Sequence, residues 1–140
     1  MFLSPGSGTV VVTVAATATC NNLNCTGFTG TLAGASTLTV SGSLTYVVGQ
    51  VAPTYTGNLK FNATSGTNTV TFGGHTLAGN CTFDGVAGTW QLSANCTIIA
   101  TKTTTLTNGT FDLNGFTWST GVFSSSNANT RVLTFGAGTL

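Results

Sequence analysis

The feature that most constrains the fold is a frame of nine residues, T-F-D-x4-T-W, which occurs twice. The first copy is TFDGVAGTW at residues 82–90 and the second is TFDLNGFTW at residues 110–118. Other units also recur: TLAG at residues 31–34 and 76–79, T-F-G-x-x-T-L at residues 71–77 and 134–140, and L-x-x-N-C-T from Leu77 and from Leu92. The spacing between copies differs from unit to unit, so the repeat is degenerate.

Recurrence of this kind is typical of solenoids, because one short unit cannot bury its own apolar side and stacked units can. If the frame is one coil of a parallel β-helix, Phe83 stacks about 4.8 Å from Phe111, and Trp90 about 4.8 Å from Trp118. We therefore predict a β-solenoid of degenerate repeats. The alternative fold is a β-sandwich or jelly roll of about seven short strands.

The local sequence favours strands over helices throughout. Apolar and polar residues alternate with a period of two, as in Phe111 and Leu113 against Asp112 and Asn114. Thr and Gly are abundant and disfavour helices, and no window keeps apolar residues at helical spacing. We expect an all-β chain whose interior is lined by a set of aromatic residues: Phe61, Phe72, Phe83, Trp90, Phe111, Trp118 and Phe135.

The chain divides into two regions by composition and repeat content. Residues 26–140 carry the repeats and are assigned to the β-solenoid, whereas residues 1–25 are assigned to an N-terminal extended segment, attachment point or cap. The start of the chain has no basic region, and its apolar run is interrupted by Thr and shorter than the roughly 20 residues of a spanning helix. We expect neither a signal peptide nor a membrane anchor there.

Charged residues make up 4% of the chain, and the basic ones are Lys60, Lys102 and Arg131. No basic patch for nucleic acid or an anionic membrane follows from so few cations. Lys60 and Lys102 are expected to be solvated. Arg131 is expected on the same strand face as Leu133 and Phe135, because residues two apart in a strand point the same way. Its side chain is therefore either solvated or reaches across a coil end or a subunit contact.

Asp84 and Asp112 are the only carboxylate side chains, and each occupies the same place in the repeated frame. Stacked coils would put them about 5 Å apart, the separation found in retaining glycosidases, and calcium bridging is a second possibility. Both acids, however, lead into Gly-containing turns, where Asp is favoured by its own hydrogen bonds. We expect a solvated turn pair, and we predict no catalytic, cofactor-binding or metal-binding residue.

His75 and the four cysteines lack the spacing of a reactive or metal site. His75 lies in GGHT without a recognisable nucleophile or ligand partner, which indicates a turn residue. Cys20 and Cys25 flank NNLN, and no C-x2-C pair exists, so no zinc site is expected. Cys81 and Cys96 occupy matching inward positions and are interpreted as small packing residues. A disulfide remains open for each pair.

Asn and Thr are expected to form polar ladders along the outside of the coils. Their abundance also explains five N-x-[ST] triplets, which we expect to carry no sugar unless the source is eukaryotic. Flat rows of Thr can bind ice, but the varying repeat lengths argue against the required flatness. The triplets begin at Asn24, Asn62, Asn80, Asn95 and Asn108, and the Thr rows are Thr37 and Thr39, Thr69 and Thr71, and Thr103, Thr105 and Thr107.

Three long stretches carry a resemblance to a known group of proteins. They are TGFTGTLAGASTLTVSGSLTY, GNLKFNATSGTNTVTFGGHTLAGNCTFDGVAGTWQLS and TLTNGTFDLNGFTWSTGVFSSSNANTRVLTFGAGTL. They resemble the Thr-, Gly- and Asn-rich β-solenoid repeat regions of large surface proteins from bacteriophages and bacteria. The resemblance covers residues 26–140 and implies a virion-borne or exported fibre, decoration or adhesin segment without a catalytic role in the repeats. Members of this group are usually much longer.

Together these observations predict a non-enzymatic structural protein, a β-solenoid subunit of a bacteriophage fibre or capsid decoration on the virion surface or outside the cell. We expect a homo-oligomer, preferably a trimer, that contacts other virion or surface proteins and uses no cofactor. The alternative is a carbohydrate-binding adhesin or tailspike-like receptor-binding protein, with exposed Tyr46, Tyr55 or a Trp stacking on sugar rings. A third hypothesis is a depolymerase that uses Asp84 and Asp112.

Overall fold

The computed structural model describes residues 10–50 and 53–140, which contain sixteen β-strands and no helix. The strands form six successive coils. Coil 1 contains β1 (Val11–Val14), β2 (Ala18–Cys20) and β3 (Leu23–Asn24); coil 2 contains β4 (Thr31–Gly34), β5 (Leu38–Val40) and β6 (Leu44–Thr45); coil 3 contains β7 (Thr54–Tyr55), β8 (Leu59–Phe61) and β9 (Thr67–Thr71). Coil 4 contains β10 (Thr76–Leu77) and β11 (Cys81–Leu92); coil 5 contains β12 (Cys96–Ile98) and β13 (Thr103–Asp112); coil 6 contains β14 (Trp118–Ser119), β15 (Val122–Ser124) and β16 (Arg131–Thr134).

Each coil passes through three sides of the solenoid in the same order. Side 1 consists of two three-stranded sheets, β1-β4-β7 and β10-β12-β14. Side 2 is formed by β2, β5, β8, β15 and the first halves of β11 and β13, and side 3 by β3, β6, β9, β16 and the second halves. All strand pairs are parallel. The predicted β-solenoid is confirmed, with about six turns, and the sandwich alternative is excluded.

Parallel pairing begins in the segment that the sequence assigned to the N-terminal region. Strands β1, β2 and β3 of coil 1 pair in register with β4, β5 and β6 of coil 2. The part of that segment at residues 1–9 lies outside the described residues. No helix of the described residues has both the length and the apolar character needed to cross a bilayer.

The coil length differs from the spacing of the repeated frame. On side 2, one coil advances by 19 to 23 residues, with the shortest advance from Thr103 to Val122 and the longest from Cys81 to Thr104. The frame recurs after 28 residues. This spacing is longer than one coil, so the second copy begins one side further along the next coil than the first copy does. The first copy runs from side 2 to side 3 within β11, and the second copy runs from side 3 in β13 to side 1 in β14.

This difference corrects the predicted vertical neighbours. Trp90 pairs with Phe111, and Trp118 pairs with Cys96, so the expected stacking of Trp90 on Trp118 is wrong. The rings of Phe83 and Phe111 do stack, with 4.2 Å between their centroids. The backbone neighbour of Phe83 in coil 5 is nevertheless Leu106, and the two phenylalanines meet because their side chains converge from different sides of the interior.

Aromatic side chains fill the interior of coils 3 to 6. The ring of Phe83 lies 5.0 Å from that of Phe61, 5.4 Å from Trp90 and 5.8 Å from Trp118, between centroids. Six of the seven aromatic residues predicted to point inward are fully buried: Phe61, Phe72, Phe83, Trp90, Phe111 and Trp118. The seventh prediction is wrong, because Phe135 follows the end of β16 in a turn and is 43% exposed.

One buried polar group within this interior supports the aromatic packing. The side chain of Thr104 is fully buried on side 2, and its Oγ1 accepts a hydrogen bond from Trp118 Nε1 at 2.9 Å. The Thr104 hydroxyl in turn donates to Thr120 Oγ1 at 3.0 Å. Because a buried indole N–H is costly without a partner, this pair fixes the position of the Trp118 ring.

We predict that Phe83→Ala lowers the free energy of unfolding by about 3 to 5 kcal/mol, because it removes the ring that contacts four other aromatic residues. The matched control is Phe135→Ala, which removes a half-exposed ring and should cost less than about 1 kcal/mol. Urea unfolding followed by circular dichroism measures both. Equal losses for the two variants would contradict the central place of Phe83.

Candidate functional site

The outside of side 2 is a regular polar surface. Register between coils aligns one outward residue from each coil into a column: Thr19, Thr39, Lys60, Thr82, Thr105 and Ser124. Asparagines at the corners connect successive coils, because their side-chain oxygens accept backbone N–H groups of the next coil. Thr103 N donates to Asn80 Oδ1 at 3.1 Å, and Thr117 N donates to Asn95 Oδ1 at 2.9 Å. The expected ladders of Asn and Thr side chains along the coil faces stay a prediction.

Asp84 is held in a chain of polar contacts that spans three coils. Lys60 Nζ of coil 3 lies 2.8 Å from Asp84 Oδ2, and Asn108 Nδ2 of coil 5 donates to Asp84 Oδ1 at 2.7 Å. The hydrogen bonds from Lys60 and Asn108 hold the pKa of Asp84 below its ordinary value. The expectation of a solvated Lys60 is wrong, and Asp84 lies within β11 instead of a turn.

Asp112 has different surroundings on side 3. Its Oδ1 accepts the backbone N–H of Asn114 at 2.9 Å, which is the predicted turn hydrogen bond, and its Oδ2 accepts from Gln91 Nε2 at 2.9 Å. Asp84 pairs with Asn108 and Asp112 pairs with Gln91, so the two acids belong to different columns. The stacked carboxylate pair expected from the repeated frame is therefore wrong. Among the described residues no group of three or more His, Cys, Asp or Glu could hold a metal ion.

His75 lies in the turn before β10, as predicted. Its backbone N–H donates to Phe72 O at 2.9 Å, and its ring Nε2 lies 2.9 Å from Val47 O of the previous coil. Because a carbonyl oxygen only accepts, Nε2 carries the proton in this contact. The ring therefore connects two coils.

Cys81 and Cys96 are buried and point inward, which confirms their predicted packing role. All four cysteines carry free thiols in this structure, including the pair Cys20 and Cys25. Burial raises the pKa of Cys25 to about 11 and that of Cys96 to about 12, and it raises the pKa of Cys81 well above the ordinary value. Cys20 is partly exposed.

The tyrosines expected to stand on the surface are inside the solenoid. Tyr46 is 2% exposed and Tyr55 is fully buried. The hydroxyl of Tyr55 accepts the backbone N–H of Leu38 at 2.9 Å and donates to Ser36 O at 2.7 Å, so it fastens a corner of coil 2. Burial raises the pKa of Tyr55 to about 12. Trp90 and Trp118 are fully buried as well, so the prediction that these tyrosines or a Trp are available for sugar stacking is wrong.

Unequal corner lengths create a recess between sides 2 and 3. In coil 4 the four residues 85–88 lie opposite the single residue Gly109 of coil 5. In coil 6 the six residues 125–130 lie opposite the three residues 106–108. The short corner of coil 5 is therefore a floor between two longer corners. The resulting recess, here called the corner groove, has a volume of about 610 Å³.

The walls of the corner groove combine apolar and uncharged polar groups with one cation. Val86 is 68% exposed and Val132 is 49% exposed. The cation is Arg131, in β16. The complete lining is Val86, Ala87, Asn108, Gly109, Thr110, Ala128, Asn129, Thr130, Arg131 and Val132.

Arg131 is held in place by the long corner of coil 6. Its Nε donates to Ser125 Oγ at 2.5 Å, its Nη1 donates to Asn129 O at 2.6 Å, and its Nη2 donates to Ser125 O. Within the described residues no carboxylate forms an ion pair with it. Arg131 thus contacts its own coil corner, and it is not simply solvated.

The corner groove was not predicted from the sequence, because it arises from unequal corner lengths, which the repeated motifs do not show. The available signals were the glycines Gly85 and Gly88 and the Asn108-Gly109 pair. A Cβ on Gly109 would lie 2.5 Å from Gly85 O and 2.6 Å from Gly88 O, and Gly109 also has a φ of 79°. Glycine at this position allows the floor to pass beneath the bulge of coil 4.

Comparison with family models, with curated proteins and with solved structures finds no match to this chain. The fold is therefore established by the structure itself, and the function has to be argued from its surfaces and contacts.

We predict that a thiol reagent at about pH 8 modifies at most one cysteine of the native protein, Cys20, because the other thiols are buried and protonated. After unfolding without reductant, all four thiols should react. Absorbance of the released chromophore counts them. Two missing thiols in the unfolded protein would reveal a disulfide and contradict the free-thiol state.

A second prediction concerns the Lys60–Asp84 pair, which contributes stability only while Asp84 is ionised. The folded pKa of Asp84 is depressed, so its contribution is complete above the unfolded pKa of about 4 and is lost as the pH falls through the folded value. Because both side chains are partly exposed, we expect the pair to contribute about 0.5 to 1 kcal/mol to the free energy of unfolding at pH 7. Urea unfolding of the parent, Lys60→Gln, Asp84→Asn and the double variant gives the coupling free energy between the two side chains. A coupling that persists unchanged at about pH 2 would contradict the assignment.

Proposed function

We propose that this protein is a non-enzymatic structural protein, a β-solenoid subunit of a bacteriophage fibre or capsid decoration at the virion surface. The observation that carries the proposal is the uninterrupted parallel pairing of side 2 from β2 through β15, built around a filled aromatic interior. A rod of this kind keeps its length and direction without a partner for each coil. The resemblance of residues 26–140 to phage and bacterial surface repeats supports the same role.

The surface chemistry also suits a long-lived extracellular structure. Charged residues are 4% of the chain, and outward positions of side 2 are occupied mainly by Thr and Ser. Trypsin-like proteases find few cleavage points in such a surface, and the backbone of coils 2 to 5 is paired on both edges of side 2. We propose that resistance to proteolysis, together with stiffness, is what the fold supplies.

We further propose that the subunit assembles into a symmetric homo-oligomer, preferably a trimer, together with other virion or surface proteins. Closed symmetry is the common arrangement for identical subunits, and parallel association of slender rods increases their stiffness. The carbohydrate-binding adhesin is the alternative role, and it no longer rests on Tyr46 and Tyr55, since both are buried.

The proposal predicts an elongated, protease-resistant oligomer. Analytical ultracentrifugation of the purified chain should give a trimer with a high frictional ratio, and circular dichroism should show β-structure. Thermolysin should leave the native chain intact under conditions that degrade Phe83→Ala, whereas Phe135→Ala should behave as the parent. Antibodies to the chain should label the outside of intact particles from the source. A flexible, rapidly digested monomer, or label confined to the interior of particles, would overturn the proposal.

A further inference from the structure

The corner groove is a recess that a purely mechanical rod does not need. Its floor is Asn108 to Thr110 of coil 5, and its walls are the bulge of coil 4 and the long corner of coil 6. The volume of about 610 Å³ lies within the range of small-ligand sites. The base of the recess is held on both edges at Thr110, which pairs with Thr89 of β11 and with Val132 of β16.

Arg131 gives the groove a fixed positive charge. Its three hydrogen bonds to the coil 6 corner go to backbone carbonyls and one hydroxyl, which sets the plane of the guanidinium. A guanidinium has five N–H donors, so two remain for a ligand. An arginine already oriented by its own chain loses little freedom on binding, and its two remaining N–H groups, one on Nη1 and one on Nη2, can donate to a carboxylate.

The other lining groups are those that bind sugars. The side-chain amide of Asn129 and the hydroxyls of Thr110 and Thr130 offer hydrogen bonds to a ligand dense in hydroxyl groups. The Nδ2 of Asn108, by contrast, already donates to Asp84. Exposed Val86 and Val132 give the C–H surface of a pyranose ring an apolar contact. Neutral polar groups, small apolar patches and one oriented cation together describe a site for an acidic sugar.

We propose that the corner groove binds a carboxylate-bearing sugar unit of an acidic polysaccharide, with Arg131 as the group that recognises the carboxylate. This binding site is independent of the structural role, since the rod would exist without it. A peptide strand fits less well, because the parts of β13 without a strand partner, residues 106–108 on the coil 6 edge and single residues such as Gly109 on the coil 4 edge, are too short for strand addition. A phosphate-dense nucleic acid would need a cluster of cations, and among the described residues Arg131 alone brings a charge to the lining of the groove.

Titration calorimetry of the full chain tests the proposal with short oligomers of galacturonate, mannuronate and glucuronate, each compared with its carboxyl-reduced neutral form. We expect at least one acidic oligomer to bind with a Kd of about 1 mM or tighter, and its neutral form to bind at least about tenfold more weakly. Arg131→Gln should reduce acidic binding by a similar factor. Ala128→Glu puts a carboxylate on the exposed wall and leaves Arg131 intact. This variant should also weaken binding of the acidic oligomer about tenfold, because the new carboxylate repels it.

Two controls separate recognition from charge and folding. Lys102→Gln removes one positive charge at a different corner of coil 5, so it matches the net charge of the two groove variants and should bind as the parent does. Ala128→Gln has nearly the size of Ala128→Glu without its charge and should retain binding. Melting temperatures confirm that each variant is folded. Absence of binding to every acidic oligomer, equal binding of neutral forms, or equal loss in Lys102→Gln would each overturn the proposal and leave the structural role unaffected.

Discussion

Parallel hydrogen bonding between successive coils is the interaction on which the rest of this structure depends. It requires that each strand lie beside the corresponding strand of the next coil, as Leu38 lies beside Leu59 and Leu59 beside Cys81. It does not require equal coil lengths. From Leu44 to Val70 a coil advances by 26 residues, whereas from Ala18 to Leu38 it advances by 20. Register is kept on the sides, and differences in length are taken up at the corners.

The corners can differ only where the backbone can approach closely. Gly85 and Gly88 bracket the bulge of coil 4, and a Cβ on either would lie within 2.1 Å of Ala63 O in coil 3. Between them Ala87 adopts a φ of 65°, which is uncommon for a residue with a side chain. The glycines thus let a longer corner fit against its neighbour without disturbing the pairing of Phe61 with Phe83 or of Thr67 with Thr89. The corner groove is a direct result of this freedom.

Fold class and most of the interior could be predicted from the sequence, because alternation with a period of two depends only on local geometry. The coil length could not be predicted from the repeated frame. Inward apolar residues flanked by outward polar residues occur on every side, so similar frames arise on different sides, and Phe83 and Phe111 occupy sides 2 and 3. Contacts between coils, such as that of Lys60 with Asp84, depend on this register and were missed for the same reason.

The same register explains why a chain with so few charges can still build a specific site. A lone arginine on a flat Thr-covered side would be screened by water and would select little. At the corner, unequal lengths set Arg131 in a recess, and the residues that lengthen coil 6 include Ser125 and Asn129, which orient its guanidinium. Length variation at a corner therefore supplies both the shape of the recess and the orientation of its charge, while the paired sides remain unchanged. A solenoid can acquire binding sites in this way without altering the core that keeps it rigid.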